Sequence, residues 1–96
     1  MALVLSEKVR EKLAGKTPPV SEDEILQCFA NRSGRYLLDQ REQSQTDPPT
    51  RWFLAETDYG RMLKVVFIQK GEGVVIKTAY DPNAVEQDIY QRFGES

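Results

Sequence analysis

Phosphate chemistry is the first possibility the side chains raise. Between residues 51 and 80 five cations, Arg51, Arg61, Lys64, Lys70 and Lys77, stand against three anions, Glu56, Asp58 and Glu72. Two aromatic residues flank them, Trp52 and Tyr80. Cations that hold a backbone and rings that stack bases are what single-stranded RNA requires. The 96-residue chain has no histidine. That excludes Ser-His-Asp and Cys-His triads and His-ligated zinc. RNA can still be cut, because its own 2′-hydroxyl attacks the adjacent phosphate in line. The protein then has only to align the strand and neutralise charge. Arg61, Lys64 and Lys77 suit the charge role, and Tyr80 or Glu56 suits proton transfer. Arg51, Trp52, Lys64 and Lys77 are the candidate RNA-binding residues.

Composition narrows the alternatives. The net charge is −2, which weighs against indiscriminate nucleic-acid binding. Residues 81–96 carry four acids against Arg92 alone, so negative charge gathers at the C-terminus. The one cysteine, Cys28, cannot form an internal disulfide or a Cys-x-x-Cys site and reads as a buried thiol. No metal, cofactor or membrane span is expected. Met1 to Leu5 is too short for a signal peptide, so the expected location is the cytoplasm.

The elements that must position these residues follow from pattern. One domain is expected over 1–96. Ser6 opens a helix that Gly15 and Pro18-Pro19 end. Ser21 and Glu24 form a capping box for a second helix, with Ile25, Cys28 and Phe29 on its apolar face. Tyr36 to Leu38 reads as a first strand and Gln40 to Thr50 as an exposed loop. Arg51–Thr57, Arg61–Gln69 and Val74–Tyr80 read as strands joined by turns at Asp58-Tyr59-Gly60 and Gly71-Glu72-Gly73. A last helix follows Asn83, with Val85, Ile89 and Phe93 every four residues and Glu86 and Asp88 facing solvent. The predicted fold is α+β, in the order α-α-β-β-β-β-α. A four-stranded antiparallel sheet carries its helices on one face.

Register places the cations. If Lys70 faces Gly73, Leu63, Val65 and Phe67 share an apolar face with Val74, Ile76 and Thr78. Lys64 and Lys77 become diagonal neighbours on the other face. They then either hold a phosphate between them or cover apolar surface with their stems.

Three segments carry a resemblance: Arg51-Trp52-Phe53-Leu54-Ala55-Glu56-Thr57, Gly60-Arg61-Met62-Leu63-Lys64-Val65-Val66-Phe67, and Val75-Ile76-Lys77-Thr78-Ala79-Tyr80. Together they resemble the BrnT toxins, relatives of the RelE-type ribonucleases, over about residues 20 to 92. The resemblance implies a bacterial type II toxin that cleaves RNA and is held by a small DNA-binding antitoxin. It carries Arg51, Arg61 and the end of the last strand into the site, where Tyr80 stands in place of the family's arginine. Two other readings stand beside it: a non-catalytic protein-interaction module on the same fold, and a nucleotide or ADP-ribosyl hydrolase.

Overall fold

The computed structural model describes residues 2–41 and 46–95. Part of the loop predicted over Gln40 to Thr50, positions 42–45, lies outside the described residues. The elements are β1 (Ala2–Val4), α1 (Glu7–Ala14), α2 (Glu22–Asn31), β2 (Leu37–Leu38), β3 (Thr50–Glu56), β4 (Met62–Lys70), β5 (Gly73–Tyr80) and α3 (Ala84–Phe93). The α+β class is as expected. The sheet, however, has five strands in the order β1-β5-β4-β3-β2. β1 runs parallel to β5, with Leu3 beside Val74, so the sheet is mixed rather than antiparallel. Three residues are too few to display a period of two, and their partner lies some seventy positions away.

The local signals work as their chemistry requires. Ser6 caps α1 by accepting from the Val9 N–H at 3.2 Å. In α2 the Ser21 hydroxyl accepts from the Glu24 N–H at 3.1 Å, and the Glu24 carboxylate accepts from the Ser21 N–H at 3.0 Å. Both donors would otherwise be orphaned at a helix start.

Consecutive strand residues point to opposite faces. Phe53 meets Phe29 of α2 at 4.7 Å between ring centroids. Its neighbour Trp52 meets Tyr90 of α3 at 5.7 Å. Helices therefore cover both faces, which corrects the one-face expectation. On the α2 face Phe29, Tyr36, Phe53 and Phe67 make six mutual ring contacts above buried Ile25, Leu63, Val65 and Ile76. That is the dry centre of the molecule.

The far face is built differently. Tyr90 is the fully buried residue of α3, at 1% exposure. Its hydroxyl donates to the Arg35 carbonyl at 2.8 Å. Gly34 and Gly94 leave it room: a Cβ on Gly34 would stand 2.5 Å from the Tyr90 hydroxyl, and one on Gly94 2.4 Å from its ring.

Candidate functional site

Lys64 lies in β4 opposite Leu54 of β3 and Tyr80 of β5. It is only 5% exposed, so its ammonium needs a partner to remain charged. α3 supplies it. Asn83 caps this helix by accepting from the Glu86 N–H at 2.8 Å, and Glu86 Oε1 accepts from the Asn83 N–H at 3.0 Å. The capping box thus fixes the Glu86 carboxylate with Oε2 turned to the sheet. Lys64 Nζ and the Tyr80 hydroxyl both donate to that oxygen, each at 2.6 Å. Lys64 Nζ also stands 4.5 Å from the centre of the Trp52 ring, a cation–π contact in a largely dry setting.

The cluster shifts its own proton affinities. Burial alone would raise the Glu86 carboxyl. The hydrogen bonds from Lys64, Tyr80 and the Asn83 N–H outweigh it and hold Glu86 below the usual carboxylate range. Burial first, and then donation to Glu86, push the Tyr80 phenol above its ordinary value. At neutral pH Glu86 is therefore a carboxylate and Tyr80 a neutral phenol, and Lys64 Nζ shares the Glu86 oxygen with that phenol.

These groups stand at one side of a cleft of about 850 Å³. Lys64 and Trp52 line its floor. One wall is Glu86, Ile89 and Phe93, and the other runs from Leu37 to Arg41. The volume lies within the range of small-molecule pockets. Asp39, 8% exposed, holds Arg41 through paired contacts, the shortest 2.7 Å. The lips are apolar and open: Leu38 is 54% exposed, Ile89 38% and Phe93 61%. Val85, Ile89 and Phe93, the four-residue repeat of the last helix, therefore lie at the surface. Glu86, expected in solvent, lies against the sheet, and Asp88 remains exposed.

The other candidate residues are dispersed. Arg61 spends its guanidinium on internal acceptors: the Pro18 and Pro19 carbonyls at 3.1 and 2.7 Å, Glu24 at 3.2 Å and Asp81 at 2.8 Å. It latches the α1–α2 linker and the start of α2 to the turn before α3. Arg51 pairs with Phe67 across the strands and so points to the α2 face, away from Lys64. The Lys70–Gly73 register holds as far as Phe67 and Ile76 and then slips by one. Lys77 is the extra residue at that bulge, exposed and without a cross-strand partner. The slip breaks the diagonal pairing of Lys64 with Lys77. It also brings Tyr80 opposite Lys64 and moves Thr78 off the apolar face in favour of Ala79.

Of the candidates, Lys64, Trp52 and Tyr80 meet. Sequence reasoning did not place Glu86 or the Asp39–Arg41 pair with them. The signal for Glu86 was present, since Asn83-x-x-Glu86 is a capping box and Glu86 and Tyr90 share a helix face. Burial pushes the Cys28 thiol up to about 12, and it donates to the Ala55 carbonyl at 3.5 Å, so it offers no thiolate. Among the described residues no group of three Cys, Asp or Glu side chains is placed to hold a metal, and no helix is long and apolar enough to cross a membrane. No family model, no curated protein and no solved structure matches the chain.

Proposed function

We propose that this chain is a protein-docking module whose working surface is the outer face of α3 and the cleft beside it. One observation carries the reading: Val85, Ile89 and Phe93 form an apolar stripe on a helix already anchored by its other face, and they are 67%, 38% and 61% exposed. Leu38 extends the patch across the cleft. Contiguous apolar surface of this kind marks contact sites in small proteins. The electrostatics agree. Lys64, Arg41 and Arg92 each already have a carboxylate partner, so little positive charge is left to draw a polyanion.

The test is site-specific photo-crosslinking in the native host. A photoreactive residue in place of Phe93 should give discrete, position-dependent adducts, lost on adding Leu38→Lys. The same residue in place of Tyr59, which is 94% exposed on the β3–β4 turn, should give none. Absence of adducts from position 93 would refute the docking reading.

A second reading has its own observation, the convergence of Lys64 and Tyr80 on one Glu86 oxygen beside the cleft. RNA threaded there would be cut in line. Glu86 would take the 2′-hydroxyl proton as the 2′-oxygen bonds to phosphorus. Tyr80 would protonate the departing 5′-oxygen, Lys64 would balance the phosphoryl charge, and Trp52 would flank the base. Arg61 would act only by positioning, Lys77 would guide the flanking strand, and Arg51, on the α2 face, would take no part. A toxin that works this way needs a neutralising partner, and the α3 stripe would be where an antitoxin sits. Purified protein should then leave 2′,3′-cyclic phosphate ends on RNA, and Tyr80→Phe should slow cutting about 100-fold. RNA left intact by the folded protein would sink this reading.

A further inference from the structure

The α3 surface has the properties of one half of a symmetric pair. Val85, Ile89 and Phe93 recur every fourth residue and so form a single ridge along the helix. Two ridges of this spacing interdigitate when their helices cross at about −50°. A two-fold axis through Ile89 sets Ile89 against Ile89, and Val85 of each copy against Phe93 of the other. Each copy then contributes the same patch, as an isologous contact requires.

The flanking charges fit the same operation. Asp88 and Arg92 are paired within α3 at 3.2 Å, and both are exposed, at 56% and 70%. With the helices running in opposite senses, Asp88 of one copy approaches Arg92 of the other. The flank is thus complementary to itself and has little excess charge to offer a strongly acidic or basic partner.

We infer that the occupant of the docking surface is a second copy of this chain, paired through α3 about a two-fold axis. The inference rests on the docking reading and names its partner. Three side chains of one helix make a narrow contact, so association is weak, with a dissociation constant on the order of 10 µM.

Sedimentation equilibrium tests it on the full chain. The average mass should climb from 11.0 kDa toward twice that value between about 1 µM and about 1 mM. Phe93→Lys, at an exposed position that leaves the core intact, should stay monomeric over the whole range. Asp88→Arg should weaken association about tenfold or more, and the swap Asp88→Arg with Arg92→Asp should restore it. Tyr59→Ser should change nothing. A single 11.0 kDa species at every concentration overturns the inference, and so does a dimer that survives Phe93→Lys. The two readings fail separately. A monomer whose position 93 still crosslinks a different protein removes self-pairing and leaves docking in place. A monomer with no adduct from position 93 removes both.

Discussion

The two faces of the sheet are held by opposite physics. On the α2 side Phe29, Tyr36, Phe53 and Phe67 interlock, and Ile25, Leu63 and Val65 close beneath them at zero exposure. The Glu24–Arg61 ion pair latches the start of α2 at the rim, while burial of apolar area stabilises the layer itself. On the α3 side the helix is fastened by two side chains one turn apart. Glu86 takes Lys64 and Tyr80, and Tyr90 sits between Trp52, Gly34 and Gly94. Its apolar residues are spent on the surface. One face is a core, and the other is a mount that holds an apolar helix face outward.

The comparison breaks most severely at Phe53. Phe53→Ala empties the centre of the aromatic cluster and should cost about 4 kcal/mol, read from the urea midpoint at unchanged slope. A loss under about 1 kcal/mol would mean that the α2 side is not the structural core.

Glu86→Gln should come next, at about 2 kcal/mol, because it removes charged hydrogen bonds from a nearly dry site. It also carries a pH signature. Folding lowers the Glu86 pKa, so its contribution is present above the unfolded carboxyl value of about 4.3 and fades as pH falls through the lower folded value. Trp52 fluorescence should therefore report loosening of α3 in acid in the parent. In Glu86→Gln that dependence should flatten. An unchanged acid profile would show that the cluster does not fasten the helix.

Phe93→Lys sharpens the contrast from the other end. At 61% exposure it should shift the stability of the isolated chain by no more than about 0.5 kcal/mol, measured by thermal melting in dilute solution. A large loss would make Phe93 a core residue and remove the basis for calling the stripe a contact surface.

Local chemistry alone determined much of this protein. Ser6, Ser21 and Asn83 announced their helices, because a cap hydroxyl or amide satisfies donors only three residues away. Gly60 and Gly71 adopt positive φ at the two tight turns, where a residue without Cβ is least strained. β3, β4 and β5 followed from apolar runs between those turns. Lys64, Trp52 and Tyr80 were legible as a candidate set because their residue types are those of phosphate and base recognition.

Tertiary structure decided the rest, since it turned on contacts between distant residues. β1 became a strand because β5 offered it an edge. The bulge at Lys77 shifted one register and replaced a predicted lysine pair by Lys64 beside Tyr80. Periodicity identified α3, but it could not say which of its sides would meet the sheet. A buried ammonium at Lys64 demanded a carboxylate, and Glu86 met that demand by turning Val85, Ile89 and Phe93 to the outside.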